Sequence, residues 1–382
     1  MPISSVNIAL AHHWLISYRG GEKVLEQWRL LFPESSVSTL ICEKGDVPAA
    51  VAGNRVITSI LQRAPRFMRV RYRLFLPLYP FAFEHLTVPL ETQLVLSSDA
   101  SMVKALSVPE GIPHVCYCHS PPRYIWDMVT DYSASLNPLG RAVLRYTVPF
   151  LRRRDFAAAT RVSYFIANSH FVAGRIKRHY GRDACVIYPP VNTAAFNPNG
   201  YRDDFYLIVS QLVPYKMVQL ATEAFSILGK RLVVIGEGPE MKELRRTAAK
   251  HIEFLGRQPF SVVKDHMERC RAFIYPQVED FGITAVEAQA AGAPVIAFRG
   301  GGALETVVEG KTGIFFEKQT AISLADAIRN FEKENLSISA AACRLNALRF
   351  SEEKFRSEMK SFLSTKFPDK FCSYFWPAEL QK

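Results

Sequence analysis

The chain reads as an α/β protein of two domains, and three observations lead there. Short apolar runs rich in β-branched residues alternate with longer helical patterns along the sequence, the rhythm of parallel α/β layers. At 382 residues the chain is long for one domain and sufficient for two of roughly 150 residues each. The stretch 188–204 is dense in Pro, Asn, Gly and Asp and runs into a fresh apolar segment, so a domain boundary fits there, with the linker at 190–203.

Strands are expected in the first domain at 6–11, 93–96, 114–117 and 164–167, and in the second at 206–210, 232–235, 273–275 and 294–297. This gives domains at 1–195 and 196–350 and a tail at 351–382. In the tail, Phe355, Met359 and Phe362 share one helix face, and the aromatic run ending at Trp376 follows. Such a face packs onto something, and the first domain is the expected target.

Apolar residues make up 48% and charged residues 22%, which excludes a disordered chain. The N-terminus has no basic segment ahead of an apolar run, and no stretch approaches the ~20 apolar residues of a membrane span. Seven scattered cysteines, with Cys116 and Cys118 too close for a paired zinc knuckle, read as reduced thiols of a cytoplasmic protein. The net charge of +11 is uneven: 22 Lys and Arg against 13 Asp and Glu in residues 1–200, but 25 against 23 in 201–382. A basic first half suits nucleic acid, an anionic membrane surface or phosphorylated substrates.

The most informative segment is 276–292. A strand ends, Gly282 turns the chain into a helix, Glu279 precedes that helix and Glu287 lies on its second turn. Unpaired N–H groups at a helix start favour an anion such as a diphosphate, and two acceptor-only carboxylates can fix sugar and ribose hydroxyls. The bare spacing also fits a solvated helix start. The neighbours go further: Glu279 and Glu287 as E-x7-E, Ser210 to Lys216 (SQLVPYK), Gly236 to Glu240 (GEGPE) and Gly300 to Gly313 together resemble the retaining glycosyltransferases of the GT4 family, in order and approximate spacing.

That resemblance implies a GT-B fold, two Rossmann-like domains facing across a cleft. It implies that Glu279 contacts the transferred sugar, Glu287 the ribose and Lys216 the diphosphate, with Gln211, Gly236, Phe281, Gly282 and Ile283 also at the donor. Gln211 departs from the pattern, since many relatives have an Arg there; Gln donates hydrogen bonds but no charge. Arg299 and Lys311 are the candidate substitutes.

In the first half, Gly20 and Gly21 open a helix after a strand and resemble the family's glycine loop. His119 matches the position that contacts the donor sugar, and Arg123, Tyr124, Trp126 and Asp127 follow it on the acceptor side. The segments CHSPPRYIWD and HHWL with RGGEK are most similar to bacterial O-antigen and exopolysaccharide mannosyltransferases, which implies GDP-mannose as donor and a lipid-linked saccharide or lipopolysaccharide precursor as acceptor. No cofactor is expected and, with no DxD motif, no metal. A nucleotide-sugar epimerase of the same scaffold, or a catalytically silent membrane-associated subunit, are the alternatives.

Two clusters, Arg63, Arg66, Arg69, Arg71 and Arg73 ahead of the apolar stretch 74–83, and Arg141, Arg145, Arg152, Arg153 and Arg154 around 148–151, suit anionic lipid head groups at the inner face of the cytoplasmic membrane. With no recognised nucleic-acid module to organise them, no nucleic acid is expected as partner.

Overall fold

A computed structural model describes residues 6–18, 20–43, 45, 47–53, 55–134, 136–333 and 338–375. The side chains of Arg73, Leu74, Ala134 and Ser373 lie outside that description, as does Trp376. The chain forms two compact units, residues 1–190 with 355–382, and residues 191–354.

The first unit contains a seven-stranded parallel sheet ordered β3-β2-β1-β4-β5-β6-β7. Its strands are β1 (Ile8–His12), β2 (Ser36–Thr39), β3 (Val56–Thr58), β4 (Leu94–Asp99), β5 (His114–Cys118), β6 (Tyr164–Ala167) and β7 (Ala184–Val186). β1, β4 and β5 are buried at every position, as expected of central strands covered on both faces. β1 pairs with both β2 and β4, so the strand order reverses between β1 and β4.

One face of this sheet is completed from the far end of the chain. Phe355, Met359, Phe362 and Leu363 of the helix Glu352–Lys366, and Phe371 of the helix Pro368–Phe375, join the core that holds Leu10, Trp28, Leu96 and Tyr117. Phe355 meets Tyr117 edge to face at 5.9 Å, and Phe371 meets Phe32 at 6.1 Å.

The second unit repeats the plan with six parallel strands ordered β10-β9-β8-β11-β12-β13. They are β8 (Tyr206–Val209), β9 (Leu232–Ile235), β10 (Ile252–Gly256), β11 (Ala272–Tyr275), β12 (Val295–Phe298) and β13 (Gly313–Phe316). Here the order reverses between β8 and β11. Open α/β sheets bind ligands beyond the carboxyl ends of their strands at such reversals. The loops after β8 and β11 carry Lys216 and Glu279, and those after β1 and β5 carry the first unit's candidate residues.

Candidate active site

In the second unit, β8 runs into the turn Pro214–Lys216, and Met217 takes φ +53° before the helix Val218–Leu228 begins. This left-handed residue sends the chain out and back, which leaves Lys216 at the loop's end. Its ammonium forms an ion pair with Glu279, both side chains being less than one-fifth exposed. Gln211 is exposed on the same loop.

The loop after β9 presses against it. A Cβ on Gly236 would fall 1.8 Å from the Ser210 carbonyl oxygen, and one on Gly238 2.1 Å from that of Leu212. Only glycine allows this approach, which Leu212 N donating to Glu237 O at 2.9 Å holds in place.

Glu279 is held from its other side. Gly302 N donates to Glu279 O at 2.8 Å, and a Cβ at Gly302 would lie 2.4 Å from Phe281 Cα. The run Gly300, Gly301, Gly302 is therefore the bed of the Glu279 loop. Phe281 is buried edge to face on Phe350 at 5.3 Å, Gly282 turns the chain at φ +99°, and Ile283 begins the helix Ile283–Ala290. Glu287 is half-buried on its second turn. Arg299, a candidate replacement for an Arg at 211, spends its guanidinium on Glu309 and Glu317 at 2.5 and 2.6 Å, whereas Lys311 is exposed.

In the first unit, the helix Gly20–Leu31 begins at the glycine pair and brings Gly21 against three imidazoles. A Cβ there would lie 3.1 Å from His12 Cε1, 3.6 Å from His119 Nε2 and 3.6 Å from His13 Cε1. His119 Nε2 is hydrogen-bonded to Ser98 Oγ at 2.8 Å. Its backbone is fixed twice, N–H donating to Asp99 O at 2.8 Å and C=O accepting from Asn168 Nδ2 at 3.0 Å. Glu22 is 3% exposed, with His12 Nε2 3.6 Å away. Burial alone would raise the Glu22 carboxyl, but the His12 imidazole 3.6 Å away, with His13 beside it, outweighs that and holds it at about 2. Burial, then His12, lowers His13 well below the ordinary imidazole range.

Beneath the His119 loop lies a buried charge network. Lys104 Nζ reaches Asp99 Oδ2 at 3.0 Å and Asp155 Oδ1 at 2.5 Å, all three side chains having no exposed surface. Asp155 Oδ2 also accepts from Trp126 Nε1 at 2.8 Å and Tyr180 Oη at 2.7 Å. Desolvation would lower the Lys104 ammonium, yet the two carboxylates hold it well above its ordinary value.

The acceptor-side candidates are thus largely tied into the protein. Trp126 donates to Asp155, Tyr124 shares a hydrogen bond with Ser101 Oγ at 2.8 Å, and Asp127 pairs with Arg175 and with His179 at 2.9 Å. Arg123 is half-buried on the same loop. The structure brings Gly20, Gly21 and His119 together in one unit and Lys216 with Glu279 in the other. Sequence reasoning passed over His12, His13, Glu22 and Ser98. The adjacent His pair ahead of the glycines was the available signal. Nothing in the sequence joined Lys104 to Asp155, 51 residues away. Among the described residues, no group of three or more His, Cys, Asp or Glu side chains is arranged to hold a metal ion, and all seven cysteines are free thiols.

A family model described as Glycosyltransferase Family 4 matches residues 38–195, and one described as Glycosyl transferases group 1 matches residues 194–349. The chain is 33% identical over 177 residues to an uncharacterized glycosyltransferase of Methanocaldococcus jannaschii, covering 45% of this chain and 50% of that protein. It is 30% identical over 227 residues to the GDP-mannose-dependent alpha-(1-6)-phosphatidylinositol monomannoside mannosyltransferase of Mycobacterium tuberculosis, covering 51% and 56%. The chain spans about half the length of these curated relatives. Two solved structures share its fold. Anabaena HepE in complex with UDP superimposes with a TM-score of 0.69 at 18% identity, over 94% of this chain and 100% of that one. The lipopolysaccharide outer core galactosyltransferase WaaB gives 0.66 at 13%, over 95% and 100%.

Proposed function

We propose, for a chain that belongs to glycosyltransferase family 4, that it transfers a hexose with retention, and that the hexose is mannose carried by GDP. The acceptor in this reading is a lipid-linked saccharide or lipopolysaccharide precursor at the inner face of the cytoplasmic membrane. Two GDP-mannose-dependent or mannosyl-transferring relatives, from Mycobacterium tuberculosis and Dictyostelium discoideum, support the sugar at 30% and 28% identity.

The observation that carries the reading is the Lys216–Glu279 pair beyond the β8/β11 reversal. A diphosphate arriving there draws the ammonium from Glu279, leaving the carboxylate to accept hydroxyl hydrogen bonds from the sugar. As the bond from the anomeric carbon to the phosphate oxygen breaks, negative charge grows on the diphosphate, where Lys216 offsets it. The acceptor oxygen attacks from the same face and its proton passes to the leaving phosphate oxygen. Glu287 takes the ribose hydroxyls.

A donor screen with UDP- and GDP-sugars, run with membrane lipid extract as acceptor and read as nucleoside diphosphate release, tests the proposal. Release from GDP-mannose that depends on the extract supports it. Conversion of the free sugar nucleotide without acceptor would mark an epimerase, and no turnover of any donor a silent subunit. Replacing Glu279 by Ala should lower kcat about 10²- to 10³-fold. Undiminished turnover in that variant would remove Glu279 from the chemistry.

A further inference from the structure

The helix Pro138–Arg161 of the first unit is apolar on two separate sides. Leu144, Val148, Leu151 and Ala158 are buried against the sheet side. Leu139, Val143, Tyr146 and Phe150, spaced four, three and four residues apart, form a second stripe that is 75%, 46%, 81% and 52% exposed. At 100° per residue the two stripes lie about 125° apart around the helix. A surface helix of a globular protein normally has one apolar stripe, so the second is unaccounted for by folding.

The charges beside it are of one sign. The helix holds six arginines and one acidic residue, Asp155, which is buried. Arg152 and Arg154 are occupied, on the Ile125 carbonyl and Glu84 respectively. Arg141 is exposed but donates Nε to Leu136 O at 3.0 Å, whereas Arg145 and Arg153 are exposed. The first basic cluster contributes less than its sequence suggests, because Arg69 is bound to Glu43 and to two backbone carbonyls and Arg66 lies 3.5 Å from Glu43. Next to the helix, the segment Tyr79–Glu84 adds Phe81, 55% exposed, and Leu78 precedes it at 50%.

We infer that the outer stripe of this helix inserts between the head groups of an anionic membrane, with Leu139, Val143, Tyr146 and Phe150 as the wedge and Arg145 and Arg153 on the lipid phosphates. The inference rests on the reading that the acceptor is lipid-borne. A second copy of the chain fits worse, since a paired stripe would set arginines against arginines with no exposed acidic residue on the helix to answer them. No helix among the described residues is long and apolar enough to cross a membrane, so the contact lies in the interface plane.

Two variants of the whole chain test this on vesicles of phosphatidylglycerol with phosphatidylcholine. Replacing Leu139, Val143, Tyr146 and Phe150 together by Ser should cut co-sedimentation by about tenfold or more, because these side chains are already exposed and their loss spares the core. Replacing Arg145 and Arg153 by Glu should abolish the preference for phosphatidylglycerol. The indole fluorescence introduced by Tyr146→Trp should shift to the blue on binding and be quenched by lipids brominated on the acyl chain. Undiminished sedimentation of the Ser variant, or an indole reporter that the brominated lipids leave unquenched, overturns the inference, as does a concentration-dependent dimer that the Ser variant abolishes. Nucleoside diphosphate release from donor to a detergent-dispersed acceptor separates the two readings. Vesicle binding without any transfer sinks the proposed activity alone, and transfer without vesicle binding sinks the wedge alone.

Discussion

Glu22 and His13 are one turn of helix and one loop from His119, and both titrate away from their ordinary values in a direction that makes the first unit sensitive to acid. Glu22 sits at about 2 against 4.5 for a free glutamate. Its contribution is therefore present above 4.5 and lost as pH falls toward 2, about 3 kcal/mol in all. His13 is kept neutral by burial, so its contribution is present above 6.5 and is lost as pH falls below that value. Urea unfolding between pH 7 and pH 2.5 should show stability falling first below 6.5 and again below 4.5. In Glu22→Gln the second fall should shrink by about 3 kcal/mol; identical profiles for the two proteins would contradict the assignment. At this scale the sequence was readable where a residue's role is announced by its neighbours. Lys216, Glu279, Gly21 and His119 stand in motifs a few residues long, and the loops bring them to the strand ends where those motifs placed them. Lys104, Asp99 and Asp155 carry no such mark, because a buried ion cluster is assembled by tertiary packing across 51 residues.

The strands that were legible are those whose side chains are apolar on both faces. Those at 164–167 and 232–235 match the structure end to end, and the others differ by one or two residues except at β4, which extends further to Asp99. Five were not expected: β2, β3, β7, β10 and β13. Four of these are sheet edges, short and half-exposed, where burial imposes a weaker pattern. The fifth, β2, reads as Ser-Val-Ser-Thr and is fully buried. Two of its hydroxyls are met internally, Ser38 Oγ donating to Thr87 O at 2.8 Å and Thr39 Oγ1 to Ile41 O at 3.4 Å, while Ser36 Oγ is buried without a hydrogen-bond partner, and no periodicity rule detects such a strand. Loops, not strands, set the second unit's candidate site, and the glycine bed under Glu279 gives that a test. Gly302→Ala places a methyl group 2.4 Å from Phe281 Cα, so the backbone carrying Glu279 must shift. Donor KM should rise about tenfold, with a stability loss of about 1–3 kcal/mol. Initial rates at varied donor concentration and thermal unfolding together check it; an unchanged donor KM would show that the bed does not position Glu279.

For the molecule as a whole, the binary layout was visible as a turn-rich boundary between two runs of alternating strand and helix patterns, and the spacing of Phe355, Met359 and Phe362 marked a helix with an apolar face to bury. What length and pattern could not supply is how deeply that face is used. Met359 has no exposed surface and belongs to the same core as Trp28 and Leu96. Met359→Ala should cost the first unit about 2–5 kcal/mol, seen as a shift of one unfolding transition while that of residues 191–354 stays in place. Equal shifts in both, or none, would count against the two units unfolding separately. The route of the tail also bears on how the protein is made. Residues 191–354 form a continuous stretch that can leave the ribosome whole and begin to fold, whereas the first unit, although translated earlier, lacks Phe355, Met359, Phe362, Leu363 and Phe371 until the codons after 354 have been read. In the nascent chain the half made first is the half completed last, and its unfinished apolar face is the surface that a chaperone would meet.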